Sequence, residues 1–256
     1  MEQAPKARIF AELHRKGEPL VLYNIWDTGS ARAVAAAGAK AIATGSWSVA
    51  AANGYPDGEA IPLPRLSEIA RTIIEATDLP VTIDFEGGYA TEPDEVARNG
   101  AQIVDAGAVG INFEDQIVGA TGVHPVGRQA ERIRAIRRMT AERDMPFFIN
   151  ARTDLFLQEA DPNRHGALIE AAIERGTAYA EAGASGFFVP GLADADLIGR
   201  ICATVALPVN VMMRPGVPDI ATLAGLGVAR VSYGPGPYRA MVEWLGRQAA
   251  TVYAAT

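Results

Sequence analysis

Four stretches of the chain share one pattern: a proline, then four or five mostly apolar residues, ending in three of the four cases on a polar one. They are Pro19-Leu-Val-Leu-Tyr-Asn24, Pro80-Val-Thr-Ile-Asp84, Pro146-Phe-Phe-Ile-Asn150 and Pro208-Val-Asn-Val-Met212, at nearly constant intervals. Each predicts a short strand covered on both faces, because proline is tolerated at a strand's first position and the runs lack clean alternation. A second series falls between them: Ala37-Gly38-Ala39 before AIATG, Ala106-Gly107-Ala108 before VGINF, Ala182-Gly183-Ala184 before GFFVP, and Leu226-Gly227-Val228 before ARVSYG. Here a glycine ends a helical stretch in a left-handed cap and a strand follows.

Helical spacing of apolar residues fills the gaps, at 66–76, 93–106, 128–143 and 167–182, and a further helix at about 7–16 is expected to cap the barrel bottom. Eight strands alternating with helices predict an α/β fold, one closed (β/α)8 barrel of the TIM type spanning residues 1–256. An open doubly wound sheet fits less well, since no GxGxxG follows the first strand.

Composition adds limits. Apolar residues make up 49% and charged residues 21%, enough to fold by burial alone. With 23 Lys and Arg against 30 Asp and Glu, a net charge of −7 and no basic run, nucleic acid is not an expected partner. The single cysteine, Cys202, excludes an intramolecular disulfide and a multi-cysteine zinc site. No long apolar run predicts a membrane span, and MEQAPKARIF lacks the apolar core of a signal peptide, so a soluble cytoplasmic protein is expected.

Chemistry in such barrels sits where strands end. Those ends read Tyr23-Asn24-Ile-Trp26-Asp27, Thr44-Gly45-Ser46-Trp47, Asp84-Phe85-Glu86-Gly87-Gly88, Asn112-Phe113-Glu114-Asp115-Gln116 and Asn150-Ala151-Arg152-Thr153-Asp154, with poorer ends at Pro190-Gly191, Asn210 to Arg214 and Ser232-Tyr233-Gly234. Strand alternation groups Asp84 with Glu86, Asn112 with Glu114 and Asn150 with Arg152. Three converging carboxylates repel one another unless a cation joins them, and an oxygen-rich set points to Mg²⁺ or Mn²⁺. The competing reading pairs an acid of Glu114-Asp115 with Arg152, which needs an anionic partner from protein or ligand. Long connections at 45–63 and 116–127 suit lids. The first carries Asp57 and Glu59; the second carries His124, a candidate acid or a solvated loop histidine. Gly234-Pro-Gly-Pro237 makes a poor phosphate cradle, because prolines lack N–H groups.

These segments resemble the phosphoenolpyruvate mutase/isocitrate lyase superfamily from Asn24 to about Ala240. The resemblance rests on TGSWSVAAANGYPDGE (44–59), IDFEGGYA (83–90), GINFEDQ (110–116), NARTD (150–154) and IERGTAYAEAGASGFFVPGL (173–192). It implies the same barrel, a homo-oligomer (dimer or tetramer) often exchanging its C-terminal helix, and a small carboxylate substrate. It further implies Asp84 as direct Mg²⁺ ligand, Glu86 and Glu114 holding metal-bound waters, and Asp57 on a mobile loop. Backbone N–H groups of Gly45, Ser46 and Trp47 would meet a substrate carboxylate, with Tyr23 and Asn210 beside it. Arg152 would pair with an oxygen of an enolate; the residues' positions leave Asp57, His124 and Glu114 as the candidate catalytic groups.

Three departures narrow the expectation. Glu86 stands where the superfamily usually has aspartate. The Lys-Lys-Cys-Gly-His loop of isocitrate and methylisocitrate lyases reads QIVGATGVHPVG here, and Ala120 and Gly122 replace the lysine and asparagine of the mutases. The expected activity is a Mg²⁺-dependent lyase, or a decarboxylase or hydrolase of that type, cleaving a C–C bond of a small 2-oxo or 2-hydroxy (di)carboxylic acid. The alternatives are a C–P mutase or hydrolase and a non-catalytic 2-oxo acid binder.

Overall fold

A computed structural model describes residues 2–255; Met1 and Thr256, which the expected 1–256 span includes, lie outside it. Eight strands follow in order: β1 (Leu20–Leu22), β2 (Ile42–Ala43), β3 (Val81–Asp84), β4 (Gly110–Glu114), β5 (Phe148–Arg152), β6 (Gly186–Phe188), β7 (Val209–Met212) and β8 (Arg230–Ser232). All are parallel, in the order β1-β8-β7-β6-β5-β4-β3-β2. A single bridge between Ile25 and Thr44 joins the two ends of the sheet, with the Ile25 N–H donating to Ala43 O at 2.9 Å. The result is a nearly closed (β/α)8 barrel.

The glycine series behaves as its chemistry requires. Gly38, Gly107, Gly183 and Gly227 have φ of 96°, 102°, 94° and 88°, the left-handed caps from which the chain turns into the next strand. Helix Leu63–Glu75 begins on a proline near its first turn and buries Leu66, Ile69, Ala70 and Ile73, one face at three- and four-residue spacing. Helix Pro93–Asp105 repeats the design and carries Asp94 and Glu95 in its first turn, where acids complement the helix dipole.

The N-terminal helix covers Gln3–Glu12 rather than 7–16. Ala7 and Phe10 anchor it, with the Phe10 ring 5.3 Å from Phe148 of β5. The polar tail leaves the helix, because Arg15 bridges to Glu18 across Gly17 at φ 81°. The stretch expected to be helical from 167 begins instead as a 3-10 turn, Pro162–Leu168, before helix Ile169–Glu181.

Two features depart from a plain barrel. The interior is polar: Asn112 of β4 accepts bonds from Asn150 Nδ2 at 2.9 Å and from Arg230 Nη2 at 3.1 Å. Since β4 and β8 are not neighbours in the sheet, the latter bond crosses the inside, where branched apolar side chains usually pack. In addition, the last helix, Gly236–Tyr253, buries only Pro237 and exposes Val242, Trp244, Leu245 and Val252. The outer face of β1 is correspondingly bare: Val21 and Tyr23 border an open groove of about 740 Å³. Among the described residues, no helix is long and apolar enough to cross a membrane.

Candidate active site

The C-terminal strand ends enclose a cavity of about 200 Å³, below the usual size for drug-sized ligands and suited to a small acid. Asn24, Gly45, Ser46, Trp47, Asp57 and Asp84 line one side, and Asn112, Arg152, Phe188, Met212 and Ser232 line the other. Asp84, Arg152 and the Gly45–Trp47 segment therefore meet at the strand ends, joined by Asp57 from the long connection at 45–63.

Asp84 ends β3 with its side chain buried. Its Oδ2 accepts the Ser46 N–H at 3.0 Å, and its own N–H donates to Thr44 Oγ1 at 2.8 Å. The Ser46 amide is thus committed to Asp84 rather than free for a substrate. Asp84 Oδ1 is buried with no hydrogen-bond partner. Burial, and then the neighbouring Asp84 charge, push the Asp57 carboxyl above its ordinary range.

Arg152 is paired by protein. It meets Glu114 at 2.8 Å and grips Asp154 with two bonds of 2.5 and 2.9 Å. Burial pulls its pKa down, but Glu114 and Asp154 outweigh that and hold the guanidinium charged. Asp154, absent from the expected set, is itself fixed by its N–H donating to Asp115 Oδ1 at 3.0 Å. Arg175 Nη1 and the Tyr179 hydroxyl donate to Asp115 Oδ2 at 3.0 and 2.7 Å. Of the adjacent acids, Glu114 pairs with Arg152 and Asp115 braces Asp154.

Glu86 departs from simple alternation. Strand β3 stops at Asp84 and Glu86 adopts φ 50°, which swings its carboxylate to the loop between helices Ser46–Ala52 and Leu63–Glu75. Oε2 accepts the Gly58 and Glu59 N–H groups at 3.0 and 2.8 Å, and Glu59 Oε1 in turn accepts the Tyr89 N–H at 2.7 Å. Glu59 and Tyr89 also have positive φ, at 59° each, so three strained residues meet where the loop closes on the barrel. Burial, with the Asp84, Asp57 and Glu59 charges, pushes Glu86 up to about 7.

Five expected residues lie outside the cavity lining: Glu86 and Glu114, placed above, and Tyr23, Asn210 and His124. Tyr23 is 47% exposed, lies with its ring tilted 51° against Tyr233 at 5.0 Å and borders the outer groove. The next residue, Asn24, turns inward in its place, and its Oδ1 accepts the Tyr233 and Gly234 N–H groups at 2.8 and 2.9 Å. Those bonds also occupy amides of the turn at 234–237. Asn210 lies buried in the barrel, bonded to Ser232, while Met212 two residues on reaches the cavity. His124 is outside the cavity lining; its backbone bridges Asp115 and Arg175, and burial beside Arg132, Arg128 and Arg175 lowers it to about 4. At neutral pH it is a neutral imidazole with one ring N–H, without the imidazolium charge that a general acid would give up.

Among the described residues, no three acids, histidines or cysteines form a ready cation cage. The expected convergence of Asp84, Glu86 and Glu114 is thus partial, since Glu86 is drawn to loop amides and Glu114 to Arg152. What remains is the unpartnered Asp84 Oδ1 amid several acids. Mg²⁺ binds through one or two carboxylates and keeps several waters, so this donor set fits it.

The sequence profile of phosphoenolpyruvate phosphomutase matches residues 10–253. An uncharacterized protein of Mycobacterium tuberculosis is 38% identical over 237 residues, covering 90% of this chain and 83% of that protein. A solved structure of a candidate phosphonomutase from Burkholderia cenocepacia J2315 is 46% identical, covers 99% of this chain and all of the other, and superposes with a TM-score of 0.93. The 2-methylisocitrate lyase of Escherichia coli is 29% identical over 238 residues, 88% of this chain and 77% of that enzyme. With its barrel and strand-end acids, the chain belongs to the phosphoenolpyruvate phosphomutase family, in the superfamily that also holds the isocitrate lyases.

Proposed function

We propose that the protein is a Mg²⁺-dependent lyase that cleaves a C–C bond of a small 2-oxo or 2-hydroxy (di)carboxylic acid. The observation that carries this reading is Asp84 Oδ1, buried without a partner in a cavity that Asp57 and Arg152 also line. Asp84 would hold the ion directly, and Glu86 and Glu114 through water. When bound, the ion would supply Lewis acidity toward the substrate's 2-oxygen. Arg152, held charged by two carboxylates, faces the negative charge that develops when the bond breaks. Asp57, with its raised pKa, takes the 2-hydroxyl proton of a 2-hydroxy acid. The C–C pair passes to the departing carbon as an enolate, and that carbon takes up the proton Asp57 removed, which regenerates the carboxylate. The small cavity and the closed loop keep water from that carbanion.

The likeness to a candidate phosphonomutase favours a second reading, cleavage or transfer at a C–P bond. Assays of oxaloacetate, alkylmalates and phosphonopyruvate with Mg²⁺ separate the two: 2-oxo acid products from the carbon substrates support the lyase, and phosphate release from phosphonopyruvate alone defeats it.

The partner we propose is a second copy of the chain. A (β/α)8 barrel covers every strand with a helix, yet the groove over β1 is bare while helix Gly236–Tyr253 exposes Trp244 and Leu245. Seating that helix in the neighbour's groove covers both. Light scattering of the parent would show a dimer or larger, and W244D would shift it toward monomer; a monomeric parent refutes the arrangement.

A further inference from the structure

Arg230 is among the largest fully buried side chains, and it reaches into the barrel without a carboxylate partner. Only Nη2 is bonded, to Asn112 Oδ1; Nε and Nη1 have no partner. A buried guanidinium costs several kcal/mol of desolvation, so an unpaired one in the interior calls for a compensating role. Burial lowers its pKa to about 9 and Asp84 raises it, which leaves it cationic at neutral pH and within the field of the site's acid.

The bonded residue supplies the role. Asn112 stands beside Asp84 in the β3–β4 register and lines the cavity. An amide's oxygen and nitrogen are interchangeable in shape, so only the hydrogen-bond network decides which faces where. A guanidinium can only donate, so the atom it meets must be the oxygen. Asn150 Nδ2 donates to the same oxygen at 2.9 Å. With Oδ1 taking both donors, Nδ2 has no hydrogen-bond partner among the described residues and is left on a cavity-lining side chain. A cavity walled by acids thereby gains a neutral donor whose direction cannot reverse.

We infer that Asn112 is a substrate-binding residue, its Nδ2 donating to a carboxylate or enolate oxygen of the ligand, and that Arg230 is the positioning residue that fixes this amide. The inference rests on the reading of the cavity as a site for Mg²⁺ and a small 2-oxo acid. Ser232, also a cavity residue, follows Arg230 by two positions on β8 and faces the same interior, which ties the stave carrying the cation to the wall of the site.

Calorimetric titration of the full chain, first with Mg²⁺ and then with oxalate in saturating Mg²⁺, tests this. N112A removes the donor and is expected to weaken oxalate at least tenfold while Mg²⁺ affinity stays within twofold. N112D keeps an acceptor for Arg230 and Asn150, so it preserves the fold even where N112A loosens it. It should abolish oxalate binding and tighten Mg²⁺, a pair of opposite changes that general damage does not produce. R230M should weaken oxalate in the parent, R230K should partly restore it, and R230M should add nothing to N112A, because residues acting through one contact are not additive. Unchanged oxalate affinity in N112A and N112D overturns the role of Asn112. An equal R230M effect with and without Asn112 overturns the positioning role. A parent that takes up neither Mg²⁺ nor oxalate refutes the underlying functional reading, a result distinct from both.

Discussion

The Glu86 latch makes a quantitative prediction that needs no substrate. In E86D the carboxylate retreats by one methylene, about 1.5 Å. From starting lengths of 3.0 and 2.8 Å, neither amide of Gly58 and Glu59 then lies within hydrogen-bond range of it. A bond from a charged group is worth about 1.5–3 kcal/mol. The Glu59–Tyr89 contact at 2.7 Å is common to both proteins, so the expected net loss is that of two bonds, about 3–6 kcal/mol. Each 1.4 kcal/mol is a factor of ten, so the open form should be populated at least about 100-fold more. Hydrogen exchange on metal-free protein reads this directly: the Gly58 and Glu59 amides should lose protection by that factor, while β4 and β5 keep theirs. Equal protection in parent and E86D would show that the loop does not depend on Glu86 and would refute the latch.

Other expectations concern the barrel itself. Burial, and then Arg230, lower His14 to about 3 from the ordinary 6.5, so the unfolded chain takes up a proton that the folded chain refuses. Stability is therefore full above pH 6.5 and is lost as pH falls through that window, by about 2 kcal/mol between pH 6.5 and 5; urea melts of H14Q should lack this slope. N24A removes the acceptor for two amides at the barrel seam and a donor to Thr44 O, costing about 3 kcal/mol in urea denaturation, whereas Y23A should leave oxalate and Mg²⁺ binding unchanged. A Cβ on Gly110 would sit 2.6 Å from Phe148 O, so G110A should destabilise by about 3 kcal/mol or more, again by urea denaturation.

All eight strands are legible in the sequence because their signals are local: a proline that starts a strand and a glycine that ends a helix need no tertiary partner. The site is less so. Asp84, Asp57 and Arg152 could be found from strand-end position and from resemblance. Tyr23 was a trap, since a polar strand end invites reading every residue as inward although alternate ones face out. Glu86 could not be placed, because alternation governs only as far as the strand does and its φ of 50° redirects the side chain. His124 sits in a glycine-rich loop, yet it lies beside Arg128 and Arg132 of the helix that follows it and Arg175 of a more distant one. Asn112 and Arg230 lie more than a hundred residues apart and meet only once the sheet curls. Nothing in ARVSYG marks its arginine as interior.

The uneven closure of the ring divides the protein into mechanically different halves. β4 and β5 pair along all of Gly110–Glu114, whereas β1 and β2 touch through Ile25 and Thr44 alone. Glu114 and Arg152 belong to the stiff staves, and Asn24 and the Gly45–Trp47 turn to the yielding ones. Charges that must be held to a fraction of an ångström sit where the cylinder resists deformation. The side of the cavity lined by Asn24 and Gly45–Trp47 sits on the seam instead, so changes there can reshape the cavity without disturbing the Glu114–Arg152 pair.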